Sequence, residues 1–278
     1  MFTRSPDAEL GMLRTLVVAV LVVAIPVALI TTTIRVAVSE QAVYDFSVRE
    51  YGASFSAGIP EAELIRANAR IREYLVRSGS GPLAIEVEDA NGEQVSLFNA
   101  RETAHMADVR DLVHMMFVVQ IGSVALVLSL VVLMAVLWPP RVLAAGLLYG
   151  SLLTGAIIGG AGLLAFTGFD SAWSQFHGIA FSNDLWRLDP DTDHLIQMFP
   201  EDFWFEITTA IGGLVVLEAF LVAGASSIYL ILTRGQGQDS QHARPAEPRP
   251  DHMRPEFPGR SGHARLVSPN TRHSLRNG

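Results

Sequence analysis

The sequence predicts an all-α membrane protein with four transmembrane helices and a small extracytoplasmic subdomain built from one helix and a β-hairpin. Half of its 278 residues are hydrophobic, and the apolar residues gather into four blocks. About 20 apolar residues cross a bilayer as a helix, and each block reaches that length. The blocks are 15–34, 112–140, 142–169 and 207–233.

Charge is almost absent from these blocks. The first three contain no Asp, Glu or Arg, and Glu218 is the one charged residue of the fourth. The first block also resembles a cleaved signal peptide, because a short basic head and an apolar run are common to both. Its run is long for a signal, however, and Ala37-Val38-Ser39 is only a fair cleavage site. We therefore expect a retained first span.

Four spans place both chain ends on one side of the membrane. The connector Pro139-Pro140-Arg141 is too short to cross back to the other side. The tail after Thr233 has eight Arg against four acidic residues, whereas the loop 170–206 has one Arg against eight. The positive-inside bias therefore predicts that both termini and the connector are cytoplasmic and that the long loops are extracytoplasmic.

The same boundaries divide the chain into two parts. Residues 1–234 form the predicted four-helix membrane domain, which includes the extracytoplasmic loops 35–111 and 170–206. Residues 235–278 are rich in Arg, Pro, Gly, Ser and His without hydrophobic periodicity. A segment of this composition cannot bury a core, so we expect a disordered cytoplasmic tail.

The first long loop contains the predicted subdomain. Apolar residues recur at helical spacing in 60–77. The segments 83–88 and 95–98 enclose an Asn91-Gly92 turn, which is a strong hairpin signal. A loop of this size is near the lower limit for independent folding, so we expect the subdomain to rest on the membrane helices.

Local signals also describe the second and third spans. Asn99 stands three residues before Glu102, a capping-box pattern that begins a helix running into the second span. The third span carries small-residue pairs at four-residue spacing, which let helix backbones approach closely in lipid. These glycines are Gly146, Gly150, Gly155 and Gly159.

Composition excludes several kinds of chemistry. The chain has no Cys and no Lys, which removes disulfides, cysteine nucleophiles and Schiff-base catalysis. It has no GxSxG elbow, Walker loop or dinucleotide fingerprint, so covalent serine catalysis, nucleotide use and redox cofactors are disfavoured. The net charge of −8 comes from acidic outer loops and does not point to nucleic acid. We expect no cofactor.

Two histidines lie on outer segments that run directly into spans. His105 precedes Asp108 by one helical turn, and the carboxylate could hold the imidazole in one tautomer and raise its basicity. We expect His177 to lie on a short helix that begins at Asp170. It belongs to 166–205, a stretch with three of the four Trp and seven of the fourteen Phe, as is typical of a membrane surface. Each histidine alone is more often a solvated or packing residue. Together they predict one lipid-facing site.

Other polar residues have competing interpretations. Glu218 is costly in lipid, and it is either functional or a carboxyl group hydrogen-bonded to a neighbouring helix. A transport pathway needs more such residues, and only Gln120 accompanies it. Zinc would suit His105, Asp108 and His177, but no close-spaced ligand motif supports it. We therefore predict no metal site.

Two segments carry a family resemblance that runs from the first span to about Glu206. The motifs are Arg101-Glu102-x-x-His105-Met106-x-Asp108-Val109 and Phe176-His177-x-x-x-Phe181-x-Asn183-x-x-Trp186, continued by Leu188-Asp189-Pro190 and Leu195-Ile196-x-x-Phe199-Pro200. In these motifs the chain resembles the lipoprotein intramolecular transacylase family, Lit, of small bacterial four-span membrane proteins. The Arg-rich tail departs from the family pattern.

The resemblance implies a membrane acyltransferase of the bacterial cytoplasmic membrane. Its substrate would be an S-diacylglyceryl-cysteine lipoprotein, whose sn-2 acyl chain moves to the protein's own N-terminal α-amine and leaves a lyso-form lipoprotein. Ester-to-amide exchange is downhill and needs no nucleotide, which agrees with the absence of nucleotide motifs. The partners would be this lipoprotein and membrane lipids, with the active site on the extracytoplasmic face.

The family's two functional histidines fall on His105 and His177, which we expect to act as acid and base without an acyl-enzyme. His105 is the first candidate for the base, although the two roles could be exchanged. The supporting or substrate-binding candidates lie beside them. They are Asp108, which would orient His105, Asn183 and Arg187, which could stabilise an oxyanion, and Trp186 of the second motif.

Two other functions stay open on the sequence alone. One is a metal-dependent hydrolase of membrane lipid esters. The other is a non-enzymatic membrane interaction protein whose outer subdomain recruits a partner, with the aromatic residues as an anchor.

Overall fold

A computed structural model describes residues 6–77, 79 and 81–234. The tail predicted for 235–278 lies outside these residues. The helices are α1 (Pro6–Ser39), α2 (Gln41–Glu50), α3 (Ala53–Ala57), α4 (Glu61–Val76), α5 (Ala100–Leu137), α6 (Pro140–Ala180), α7 (His194–Met198) and α8 (Glu201–Leu232), and the strands are β1 (Glu86–Glu88) and β2 (Gln94–Ser96).

The four long helices are the membrane spans, and each covers one of the apolar blocks to within three residues. This confirms the predicted fold class of an all-α membrane protein. Their outward surfaces are apolar, as lipid requires and water would not tolerate. The side chains of Leu163, Leu164, Phe220 and Leu232 are between 67% and 74% exposed. We identify these faces as lipid-facing.

Two spans extend well beyond the membrane. Helix α5 has 38 residues and, at about 1.5 Å per residue, is about 57 Å long, whereas the hydrocarbon layer is about 30 Å thick. Its first three turns carry Arg101, Glu102 and Asp108 and therefore project past the membrane-spanning segment 112–140. Helix α6 has 41 residues, and its last turns project in the same way beyond 142–169.

Helix α1 packs at the centre of the bundle, against α5, α6 and α8. Leu21 is fully buried beside Met134 of α5, and Gly146 and Gly150 of α6 face Leu21 and Ile25. The order of these contacts makes α1 and α6 parallel. A span that fills the bundle core in this way supports the retained anchor over a cleaved signal peptide.

Helix α6 consists of two helical segments that meet at a kink. The backbone of Gly168 is not helical (φ 172°, ψ 77°), and the segment after it ends at Ala180. This segment corresponds to the short helix expected to begin at Asp170, and His177 lies in its last turn. A helical segment beyond the third span therefore supplies one of the two candidate histidines.

The subdomain contains the predicted helix and hairpin. Helix α4 and the antiparallel pair β1–β2 have the expected places, with Val87 opposite Val95 and Gly92 in the turn at φ 83°. Helices α2 and α3 were not predicted. The subdomain core includes Met198 of α7 and Phe203 of α8. The subdomain thus shares its core with the segment before the fourth span.

Polar side chains join the spans at the subdomain end of α1. Thr33 donates a hydrogen bond to the Glu218 carboxylate (3.1 Å), and Arg35 donates to the side chain of Gln120 (2.8 Å), which in turn donates to Thr32 (3.3 Å). Glu218 therefore has the structural partner on a neighbouring helix that one of its two interpretations requires. These bonds connect α1 to both α5 and α8.

The glycines of α6 divide into two groups with different expected responses to alanine. A Cβ atom at Gly150 would lie 3.0 Å from the Ile25 Cβ and closer still to its Cδ1, whereas nothing lies within 4 Å of one at Gly155. We expect Gly150→Ala to destabilise the α1–α6 contact by about 1–3 kcal/mol. Thermal unfolding in detergent should show a lower Tm for Gly150→Ala and an unchanged Tm for Gly155→Ala. Equal Tm values for the two variants would contradict this packing.

Candidate active site

The two candidate histidines lie together at the subdomain end of the bundle. The Asn99 side chain accepts hydrogen bonds from N–H groups in the first turn of α5, and the Glu102 side chain accepts one from the Asn99 N–H. The predicted capping box is therefore present. His105 follows one turn later, while His177 comes from the last turn of α6. The imidazole centroids are 6.2 Å apart. Residues 72 positions apart in the sequence thus share one site.

Aromatic side chains enclose both imidazoles. Phe181 packs edge-on against His105 at 5.1 Å between centroids. Trp173 and Trp186 contact His177 at 4.6 and 4.9 Å. His105 and His177 are only 6% and 7% exposed. The site is therefore apolar and poorly accessible to water, even though it lies beyond the membrane-spanning segments.

Hydrogen bonding sets the tautomer of one histidine. The His177 Nδ1 lies 2.8 Å from the Trp173 carbonyl oxygen, which can only accept, so Nδ1 carries the proton. The Nε2 of a neutral His177 then keeps its lone pair and can act as a base. The His105 Nδ1 is buried without a hydrogen-bond partner among the described residues. His105 is thus free to adopt either tautomer.

Burial disfavours the charged form of both rings. Desolvation, together with the neighbouring His177, lowers the pKa of His105 to about 4, although the Asp108 carboxylate opposes this shift. Desolvation also lowers the pKa of His177, against the opposing effect of its bond to the Trp173 carbonyl. Both imidazoles are therefore neutral at pH 7, the state in which a histidine can accept a proton.

Asp108 does not orient His105 as the sequence predicted. Its Oδ2 accepts a hydrogen bond from the Asn183 side-chain amide at 2.9 Å, and no hydrogen bond joins it to the imidazole in the described structure. The carboxylate acts on His105 through its charge alone. The Asn183 oxygen accepts from the Leu185 N–H at 3.0 Å. Asn183 therefore links α5 to the segment that follows α6.

Arg101 has a role that sequence reasoning missed. Its Nη2 donates to the Asp184 carbonyl at 2.7 Å, and its Nε donates to the Leu185 carbonyl at 3.4 Å. The next residue along the chain, Trp186, packs on His177. Arg101 belongs to the first motif, but no sequence pattern indicated that it would donate to the main-chain carbonyls of Asp184 and Leu185. It holds the 183–187 loop against α5.

Glu102 attaches a second part of the same segment. Its carboxylate is 1% exposed and accepts from the Leu195 N–H at 2.7 Å as well as from the Asn99 N–H at 2.8 Å. The Asn99 amide donates to Asp193 at 2.8 Å. A buried carboxylate is stable only when such donors compensate its desolvation. The capping box of α5 therefore also docks the chain that leads to α8.

The two remaining candidates lie at the edge of the site. Trp186 covers His177, as described above, and the Arg187 guanidinium lies over the Trp186 ring at 4.9 Å. Arg187 also pairs with Asp184 at 2.9 Å, and its side chain is 66% exposed. Trp186 therefore lines the site, whereas Arg187 lies on the outer surface of the loop.

Other histidines and metal ligands do not add to this site. His194 bonds to the Leu97 carbonyl at 2.6 Å, which makes it a structural residue of the subdomain. Within residues 6–77, 79 and 81–234, no three His, Asp or Glu side chains are grouped so that they could hold a metal ion.

The fold and the site define a multi-pass membrane protein with a paired-histidine site at one end of its bundle. The sequence matches the family described as lipoprotein intramolecular transacylase Lit over residues 19–204, more than half of the chain. The chain belongs to this family and is a membrane acyltransferase. The family resemblance drawn from the two motifs is thereby confirmed.

Known proteins are similar to this chain over most of its length. The membrane integral lipoprotein intramolecular transacylase Lit from Bacillus cereus has a solved structure with TM-score 0.66 and 20% identity, covering 81% of this chain and 99% of that one. The structure of a variant of that enzyme with a histidine-to-alanine mutation has TM-score 0.67 and 20% identity, covering 84% and 100%. An uncharacterized protein of Aquifex aeolicus (strain VF5) is 24% identical over 233 residues, 81% of this chain and 100% of its own.

The loop attachment through Arg101 should matter for activity. Arg101→Ala removes both bonds to the 183–187 loop and frees Trp186, so we expect acyl transfer to fall about 10-fold or more, a loss comparable to one or two charged hydrogen bonds. Arg77→Ala is the matched control, because Arg77 forms an exposed pair with Glu73 on α4. Initial rates of both variants, measured at equal membrane abundance, check this. Equal activity of Arg101→Ala and wild type would exclude the positioning role.

Proposed function

We propose that the enzyme moves the sn-2 acyl chain of an S-diacylglyceryl-cysteine lipoprotein to the α-amine of the same cysteine. The product is an N-acylated lyso-form lipoprotein. The observation that supports this most is the pairing of two buried, neutral imidazoles, 6.2 Å apart, beside lipid-facing helices. An ester and an amine at a membrane surface are the groups that such a pair can serve.

The reaction needs one base and one proton donor, with no covalent intermediate on the protein. The amine nitrogen attacks the ester carbonyl carbon and forms the C–N bond. One imidazole accepts the proton that the nitrogen loses. The bond from the carbonyl carbon to the glyceryl oxygen then breaks, and a proton is delivered to that oxygen to give a hydroxyl group. The protons balance, so both rings return to their starting state.

The tautomer of His177 supports its role as the base. Its Nδ1–H is held by the Trp173 carbonyl, which leaves the Nε2 lone pair for the amine proton. His105 then donates a hydrogen bond to the carbonyl oxygen, and the protonated His177 delivers the proton it took from the amine to the leaving glyceryl oxygen, so both rings end neutral. This order reverses our first candidate, in which His105 was the base, and it follows from hydrogen bonding that the sequence does not specify.

Exclusion of water favours transfer of the acyl group to the amine over hydrolysis of the ester. Water would hydrolyse the same ester if it reached the site, and closed, desolvated sites prevent such side reactions. The aromatic cover by Trp173, Phe181 and Trp186 leaves both histidines more than nine-tenths buried. Because amine and ester belong to one molecule, holding them in position for attack can lower the activation free energy by about 7–11 kcal/mol at the upper end.

The orientation in the membrane follows from the substrate and from charge. We infer that the subdomain end, which carries both histidines, faces the outside of the bacterial cytoplasmic membrane. Both termini and the Pro139–Arg141 connector are then cytoplasmic. The Arg141 guanidinium donates to Thr233 at 3.0 Å, so the connector and the end of α8 lie at the same end of the bundle. Arg at this end agrees with the positive-inside bias.

Removal of either imidazole tests the mechanism. We expect His105→Ala and His177→Ala to lower N-acylation about 100-fold or more, the usual contribution of a general acid or base. His114→Ala is a control on the same helix and should retain activity. Mass spectrometry of lipoprotein N-terminal peptides, from a host without other N-acylating enzymes, measures the product. Wild-type-like N-acylation by either variant would remove that histidine from the mechanism.

The lowered pKa of both histidines predicts a specific pH profile. Since His105 has a pKa of about 4 and His177 one below its usual 6.5, neither protonates appreciably above pH 7. The substrate amine has a pKa near 8 and must lose a proton. We expect the single-turnover rate to rise between pH 6.5 and 8.5 and then to level. An inflection that stays in place with a substrate amine of lower pKa would contradict this assignment.

A further inference from the structure

Beside the histidine pair, Asp108 has a carboxylate oxygen that can still accept a hydrogen bond. Its Oδ2 is held by the Asn183 amide, whereas Oδ1 has no hydrogen-bond partner within residues 6–77, 79 and 81–234. It lies one helical turn from His105, on the same face of α5, and its charge acts on that ring. Asp108 is half-buried, so its charge lies at the edge of the site.

The arginines near Asp108 all bind other groups. Arg101 donates to main-chain carbonyls of the loop, Arg187 pairs with Asp184, and Arg110 contacts Asp111 and the Gly81 carbonyl. No ion pair to Asp108 exists in the described part of the chain. The site therefore holds one uncompensated negative charge next to two neutral imidazoles.

The proposed substrate brings one positive charge to this site. Its α-amine has a pKa near 8 and is therefore mostly an ammonium group at neutral pH. The ester and the acyl chains are uncharged, so the ammonium group alone can compensate a carboxylate. Opposite charges pair strongly when water is excluded.

We propose that Asp108, held in place by Asn183, is the subsite that binds the α-ammonium group of the lipoprotein substrate. This inference rests on the proposed function and adds the way in which the enzyme selects a free N-terminus. The ammonium N–H groups donate to Oδ1, one turn from His105. The ammonium group first releases one proton to water, and the neutral amine then attacks and loses its second proton to an imidazole. Asp108 thus acts as a positioning residue for the nucleophile and does not take part in covalent chemistry.

A purely structural role for Asp108 makes a different prediction. In that case its function is to hold the 183–187 loop through Asn183, and charge is not required. Asp108→Asn separates the two roles, because an asparagine oxygen can still accept from the Asn183 amide while the negative charge is removed. The control Asp111→Asn removes the same charge from the same helix at an exposed position.

The experiment compares two unreactive lipopeptides in nanodiscs. Both carry ether-linked chains on the glyceryl-cysteine, so that no acyl group can move, and one has a free amine while the other is N-acetylated. We expect wild type and Asp111→Asn to bind the free amine about 10-fold or more tightly than the acetylated form at pH 7, as one charge-assisted contact allows. Asp108→Asn should bind the two lipopeptides equally.

Each outcome has a defined meaning. A preference for the free amine that survives in Asp108→Asn, or that is absent from wild type, overturns the subsite. Activity of the wild type on the ester-linked lipopeptide is measured in parallel. If the wild type makes no N-acylated product, the proposed function itself fails. If it makes product while Asp108→Asn keeps the preference, only the subsite fails.

Discussion

The buried carboxylate of Glu102 is the constraint on which the site depends. It accepts main-chain N–H groups from the cap of α5 and from Leu195, and it thereby attaches the chain between α6 and α8 to the start of α5. Because a buried carboxylate without donors is costly, this attachment is strongly specified. Arg101 and the Asp108–Asn183 bond continue it along the next turn of the helix. The two histidines meet because these contacts bring the ends of α5 and α6 together.

The same contacts determine the chemical character of the site. Once the loop is docked, Trp186 and Phe181 cover the imidazoles and exclude water. Desolvation then keeps both rings neutral, which suits proton transfer between an amine and a glyceryl oxygen. The surroundings of the histidines, of the aromatic residues and of Asp108 therefore depend on the same loop, since its displacement would change all three.

The parts of the fold that depend on local sequence patterns agree with the predictions. The apolar blocks became the four spans, the Asn91-Gly92 turn lies in the hairpin, and the capping box begins α5. Predictions of which residues contact a neighbouring helix were less accurate. Gly146 and Gly150 meet α1, but Gly155 and Gly159 have no close neighbour in the described structure.

The sequence by itself determined the membrane character, the number of spans, the family and the two histidines, because each depends on composition or on residues close together in the chain. Only the tertiary structure decided what those residues touch. The Nδ1 proton of His177, the bond between Asp108 and Asn183 and the role of Arg101 all depend on distances between groups. Such distances depend on how helices dock and kink, and side-chain periodicity carries no information about a carbonyl oxygen 83 residues away.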